Sequence, residues 1–275
     1  MVNKNGNIYD NNIDHISIQN SSILTGDFIY ENVIMNNNSI FFFEDHYFNI
    51  VSTMRIVKMK IPTNFTQEFL EKNLFELYSS TDYNSEKIIV KILISRNNHI
   101  NNESIEFYMY DVNKFDITNN NSNNDYILDV FKDYYKNIGL LSNLNLNNQS
   151  LRYIGRKYAS ENDFDDCVVL NINKTVCESL NGTIFRLCNK TVFTPPLSDG
   201  CIGSVYRTKV IKLINDLDNF EIIEEPISVF DLQKSDELFI FNINDGIQAV
   251  SKFRKKEFSK NISKLLNNKL SDLVK

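Results

Sequence analysis

The chain has no tryptophan, alanine occurs only at Ala159 and Ala249, and no apolar run approaches the roughly 20 residues that span a bilayer. The last absence excludes a transmembrane helix from the reading. There is no basic excess either: 29 Lys and Arg stand against 35 Asp and Glu, a formal net charge of −6. A phosphate-backbone partner would require a basic stripe, so the balance argues against nucleic acid. Met1 to Asp10 is polar and lacks the charged-then-apolar order of a signal peptide, which makes the cytoplasm the expected compartment. Cysteine is scarce: Cys167, Cys177, Cys188 and Cys201 form no C-x-x-C pair, and only 3 histidines could assist them. That spacing argues against a zinc site and favours ordinary reduced thiols in strands.

What is present suffices for one large domain or two medium ones with real cores. Asn, Lys, Ile, Phe and Tyr are enriched together, as expected of A- and T-rich coding. Sequons such as Asn64-Phe-Thr66 and Asn189-Lys-Thr191 follow from the asparagine content rather than from secretion. Asp116–Asp125 is polar, asparagine-rich and without periodicity, so it reads as a linker between an N-terminal lobe, 1–115, and a C-terminal lobe, 126–275.

In the first lobe, Ile29–Met35 and Ile40–Phe43 flank Asn36-Asn37-Asn38 and read as a hairpin. Phe48, Val51, Ile56 and Met59 then fall on one helix face across 45–60, with Pro62 as its terminator. A second helix is expected from Asn64, with Gln67 placed for a capping box. Lys87–Ser95 and Ser104–Tyr110 read as strands. The second lobe reads as a strand at 126–131, a helix at 148–162 and short strands at 167–171, 183–187 and 192–194. A helix over 204–217, a buried strand at 236–242 and a last helix over 256–270 follow, the last with Phe258, Ile262, Leu265 and Leu266 as its stripe. The class is α+β in two lobes.

Thr194-Pro-Pro-Leu-Ser-Asp-Gly-Cys-Ile-Gly-Ser-Val-Tyr-Arg207 carries the strongest hint of chemistry. A glycine-containing turn opening a helix exposes N–H groups that suit an anion, although any loop-to-helix junction has similar spacing. Glu178 could face a cationic heterocycle, against the plainer reading of a solvated strand carboxylate. His46 reads as a satisfied or exposed histidine. Arg254-Lys255-Lys256 reads as the solvated flank of the last helix.

Taken in order, six segments resemble the class IV, or fold-type IV, pyridoxal-phosphate aminotransferases, which include branched-chain and D-amino-acid aminotransferases and aminodeoxychorismate lyase. They are Gly26-Asp-Phe-Ile-Tyr-Glu31, Phe43-Glu-Asp-His-Tyr-Phe-Asn-Ile50, Asp165–Asn171, Cys177–Phe185, Thr194–Arg207, and Ser235–Phe239 with Gly246–Val250. The resemblance implies two α/β lobes, the second a pseudo-barrel, with pyridoxal phosphate as cofactor and usually a homodimer. In that family a lysine three or four residues before an asparagine-aromatic pair forms the Schiff base, because the chemistry needs a nucleophilic amine. The matching stretch here is Leu141–Gln149, with Asn145 at the lysine position and Gln149 at the phenol position. The family's phosphate-binding arginine maps onto Asn49, the phosphate-cradling helix start onto Ser204, Val205 and Tyr206, and the late-loop threonine near Ile243. Glu178, the family's partner of the pyridine nitrogen, and Arg207 are kept. An amide is neither basic nor nucleophilic, so the expectation is a homologue without transaminase activity by the family mechanism and without covalent cofactor, self-associating or forming a mixed dimer with an active relative. Against it stand a working branched-chain aminotransferase or aminodeoxychorismate lyase, and a noncovalent small-molecule binder. A working enzyme would need a substitute amine. Lys157, with Arg156 beside it, lies roughly 18 Å further along a helix, and no lysine separates Lys136 from Lys157.

Overall fold

A computed structural model describes residues 1–10, 21–83, 86–99, 102–115 and 125–274. The expected linker thus lies outside the described residues except for Asp125. The chain divides into unit 1, Met1–Asp116 with Asn145–Asn148, and unit 2, Ile117–Leu144 with Gln149–Lys275. Asn145–Asn148, which the sequence reading assigns to the second lobe, is therefore part of the first unit.

Unit 1 is one antiparallel sheet with helices. Its elements are β1 (Val2–Lys4), β2 (Asn7–Tyr9), α1 (Ser21–Thr25), β3 (Phe28–Met35), α2 (Phe43–Ile56), α3 (Gln67–Ser79), β4 (Ile88–His99) and β5 (Asn102–Lys114). The sheet order is β2-β1-β5-β4-β3. Asn36 turns the chain after β3 by accepting from the N–H groups of Asn38 and Ser39 at 2.9 and 2.8 Å. The expected return strand shrinks to a single bridge, Met35 to Ile40. Phe42 adopts a left-handed φ of 58°, and α2 starts at the next residue, with Glu44 and Asp45 favouring its positive N-terminal end. Phe43, Ile50, Val51 and Met54 make the buried stripe of α2. That helix stops well before Pro62: Lys58 turns left-handed at φ 60°, and the Met59 N–H reaches back to the Met54 carbonyl at 2.8 Å. This is a Schellman ending built without glycine. The start of α3 is capped by Thr66, whose Oγ1 accepts from the Phe69 N–H at 3.2 Å, while Gln67 bonds Glu71 instead of forming a capping box. Leu70, Leu74 and Leu77 of α3 are fully buried with Met54, Ile88, Val90 and Ile92.

The edge strand β3 is not left bare. Tyr30 N–H donates to the Asn145 carbonyl at 2.9 Å, and Asn147 N–H donates to Phe28 O at 3.0 Å. The short segment 145–148 therefore covers the rim of the first sheet.

Unit 2 holds two five-stranded sheets. Its elements are β6 (Ile127–Lys136), α4 (Ser150–Glu161), β7 (Asp166–Asn171), β8 (Val176–Ser179), β9 (Thr183–Cys188), β10 (Thr191–Thr194), α5 (Val205–Asn215), β11 (Glu221–Glu224), α6 (Val229–Lys234), β12 (Glu237–Asn242), β13 (Gly246–Ala249), β14 (Lys252–Phe253), β15 (Lys256–Glu257) and α7 (Asn261–Leu273). One sheet runs β11-β10-β9-β12-β13 and the other β15-β14-β6-β7-β8. β6 and β7 are parallel, joined by the crossover through α4. Gly182, in the β8–β9 turn, admits no side chain: a Cβ there would fall 1.9 Å from the Phe241 carbonyl oxygen.

The last helix begins at Asn261, not at Lys256, because Lys256 and Glu257 pair with Phe253 and Lys252. Arg254 and Lys255 accordingly form a hairpin turn, with Arg254 at φ 55°, and Lys256 opens β15, so the cluster is not a helix flank. The stripe of α7 is Ile262, Leu266 and Leu270, whereas Leu265 is 41% exposed and Phe258 precedes the helix. The N-terminus of α7 rests on Glu237, which is fully buried. Its two oxygens accept from the N–H groups of Asn261, Ile262 and Ser263 at 2.9, 3.1 and 2.9 Å and from Ser263 Oγ at 2.6 Å. Among the described residues, no helix is long and apolar enough to cross a membrane.

Candidate functional site

The residues singled out in the sequence fall into two polar clusters, one in each unit. In unit 1, β3 points Glu31 inward, where it is 3% exposed. His46 and Asn49 stand three residues apart on α2 and so share a helix face. His46 Nδ1 lies 3.1 Å from Glu31 Oε1, and Asn49 Nδ2 donates to Oε2 at 2.6 Å. Asn145 Nδ2 donates to the same Oε2 at 3.3 Å. The pairing of segment 145–148 with β3 is what delivers Asn145 to this carboxylate. His46 is thus buried rather than exposed, with a carboxylate partner. The two positions where the family resemblance implies cations hold neutral amides bonded to one buried acid.

In unit 2 the buried acid is Glu178 on β8, 4% exposed, so the solvated-carboxylate reading is incorrect. Lys136 closes β6, and Arg152 sits in the first turn of α4. Lys136 Nζ and Arg152 Nη2 reach Glu178 Oε1 at 2.9 and 2.8 Å, and the Ile202 N–H donates to Oε2 at 3.2 Å. Arg152 also bonds the Leu180 carbonyl. A buried carboxylate is costly unless it is paired and hydrogen-bonded, and here two cations and one backbone N–H meet it. Lys136 and Arg152 have no local motif: each meets Glu178 only through the packing of β6, α4 and β8.

The helix-start stretch behaves as a structural junction. Ser204 caps α5, its Oγ accepting from the Arg207 N–H at 3.1 Å. Val205 and Tyr206 are buried, and the Tyr206 ring stacks on Phe241 at 5.5 Å. Arg207 Nη2 donates to the Pro195 carbonyl at 2.8 Å and to Glu224 at 2.7 Å. Lys157 is 72% exposed and pairs with Glu161 at 3.3 Å, so the one substitute amine considered from sequence faces solvent. Arg156 bonds Asn181 at 3.1 Å.

Three thiols are buried and the fourth, Cys188, half-buried; all are free. Burial pushes Cys167 up to about 12 and Cys201 up to about 11, and Cys177 upward as well, which removes them as thiolate nucleophiles near neutrality. Among the described residues there is no group of three or more His, Cys, Asp or Glu able to hold a metal.

Asp166, at the start of β7, is 1% exposed, and burial pushes its carboxyl up to about 6 despite hydrogen bonds from Ser179, the Cys167 N–H and Tyr126. The folded state therefore binds this proton more tightly than the unfolded chain. Stability is fully present below about pH 4 and falls as pH rises through about 6, by roughly 3 kcal/mol for a two-unit shift. Asp166→Asn is expected to flatten that slope and to raise the urea midpoint at pH 8. An unchanged slope in the variant would assign the pH dependence to other groups.

With this geometry in hand, the likenesses are specific. A family model described as amino-transferase class IV matches residues 29–253. A probable branched-chain-amino-acid aminotransferase of Thermotoga maritima is 28% identical over 96 residues, 35% of this chain and 35% of that protein. Aminodeoxychorismate lyase of Vibrio harveyi is 26% identical over 112 residues, 41% of each chain. The aligned stretches thus span well under half of those relatives. A branched-chain aminotransferase of Thermoproteus uzoniensis solved with norvaline superposes with TM-score 0.86 at 16% identity, covering 98% of this chain and 93% of that one. The pyridoxal-phosphate form of a Thermobaculum terrenum branched-chain aminotransferase gives TM-score 0.85 at 17% identity, covering 99% and 93%. At such identities the superpositions establish the α+β fold of fold-type IV.

Proposed function

We propose, from the premise that this chain belongs to the class IV aminotransferase family, that it keeps the family scaffold without lysine-based transamination. The observation that carries the reading is the Glu31 cluster. Asn145, which the resemblance puts at the family lysine position, and Asn49, which it puts at the phosphate arginine, each donate from Nδ2 to one buried carboxylate. An amide nitrogen is delocalised into its carbonyl and offers no lone pair to an aldehyde. Pyridoxal phosphate is the family's cofactor, and the residues here do not fit it: no amine stands at position 145 and no guanidinium at 49, and in unit 2 Glu178 is already engaged by three protein donors. Losing the arginine contact alone costs about 1.5–3 kcal/mol of cofactor binding.

The remaining role is one of binding, as a homodimer or as a mixed dimer with an active relative. Ser204, Val205 and Tyr206 keep the helix start, whose N–H groups still suit an anion. The names of the relatives favour the competing reading, an active branched-chain aminotransferase or aminodeoxychorismate lyase. Titration of the purified protein with pyridoxal phosphate separates the two. The expected spectrum is that of free cofactor at every ratio; a saturable new band near the visible edge would establish the active reading instead.

A further inference from the structure

The family reading assigns Glu178 to the nitrogen of a pyridine ring, yet the acceptors of this carboxylate are taken from within the chain. We infer that Lys136 and Arg152 act as internal cations that close Glu178 to any pyridinium ligand, so that unit 2 carries its own substitute for the ring's positive charge. The two cations converge on Oε1 at 2.9 and 2.8 Å, and the Ile202 N–H holds Oε2 at 3.2 Å. Three of the roughly four lone-pair sites of this carboxylate are taken, and at 4% exposure it has little water to trade for a new partner. Two cations already bond Glu178, with the buried Asp166 also acting on Arg152, so a further cation arriving at Glu178 must displace one of them. Lys136 is the movable member, a flexible stem with a point charge. Arg152 is fixed additionally by the Leu180 carbonyl.

This inference rests on the family reading of Glu178 but not on that of Asn145, and its test uses a ring without an aldehyde. Pyridoxine 5′-phosphate is added at millimolar concentration to the wild-type chain, to Lys136→Met and to Arg152→Met, and thermal midpoints are compared. Each single variant keeps one cation on Glu178, so folding survives; Lys136→Gln, which keeps a donor, serves if Lys136→Met does not fold. The expected result is no ring-dependent shift in wild type and a rise of roughly 2–4 °C in Lys136→Met. That rise should vanish in Lys136→Met/Glu178→Gln, which a merely structural role for Lys136 does not predict. An equal shift in wild type, or none in either single variant, overturns the inference. Because this probe forms no imine, either failure leaves the reading of Asn145 untouched, while covalent capture of pyridoxal phosphate would sink that reading alone.

Discussion

Asn49→Arg together with Asn145→Lys is expected to turn a chain that leaves pyridoxal phosphate free into one that captures it stoichiometrically. The scaffold is prepared for the change. Glu31 is buried and accepts from both asparagines, at 2.6 and 3.3 Å, so the new guanidinium and ammonium would enter beside a carboxylate rather than in apolar surroundings. Replacing an amide contact with a charge-assisted one is worth about 1–2 kcal/mol, and the arginine then restores a bidentate donor for phosphate. Asn145→Lys alone should give reducible but weakly held cofactor, and Asn49→Arg alone should give none that is reducible. If the double variant folds, keeps its circular dichroism and still captures nothing, then position 145 is not the family's lysine position.

Glu237→Ala should be the most damaging single substitution in unit 2, costing about 3–5 kcal/mol. One fully buried carboxylate satisfies four donors at the start of α7: the N–H groups of Asn261, Ile262 and Ser263 and the Ser263 hydroxyl. Its removal orphans the buried donors of Ile262 and Ser263, where each unmade bond costs about 1–3 kcal/mol before relaxation and water entry, while the exposed Asn261 N–H can turn to water. It also deletes the negative charge at the positive end of the helix dipole. Glu237→Gln keeps the shape and one acceptor oxygen, so it should fall between wild type and alanine. Urea unfolding at pH 7 measures the series; a loss below 1 kcal/mol for alanine would mean that α7 is not held by this carboxylate.

The order and type of most elements are readable from hydrophobic spacing, because β4, β7, β9, β12 and the buried faces of α2 and α3 are set by patterns local to each segment. What escapes is decided by backbone states or by long-range partners. The return strand after Asn38 reads as β from Ile40-Phe-Phe-Phe43, but a left-handed Phe42 converts it to a helix start. The end of α2 is set by a left-handed Lys58, a conformation with no sequence signal comparable to glycine, so Pro62 draws the eye instead. Lys256–Leu270 has helical spacing throughout, yet Lys256 and Glu257 are claimed by β14. At the candidate site, Asn49, Asn145 and Glu178 stand out through ordered motifs. Glu31 lies inside one of those motifs without a visible role, and its acidity among two asparagines and a histidine is the signal that could have marked it. Lys136 and Arg152, 42 and 26 residues from Glu178, share no motif with it; only the fold brings them to one oxygen.

The decisive expectation is that, among the described residues, no amine holds pyridoxal phosphate. Its most direct test is the intact mass of the wild-type protein after incubation with pyridoxal phosphate and reduction with borohydride, followed by peptide mapping. The expected mass is unmodified apart from slow, scattered labelling of exposed lysines. A rapid one-to-one adduct confined to a single lysine, Lys136 above all, would contradict it.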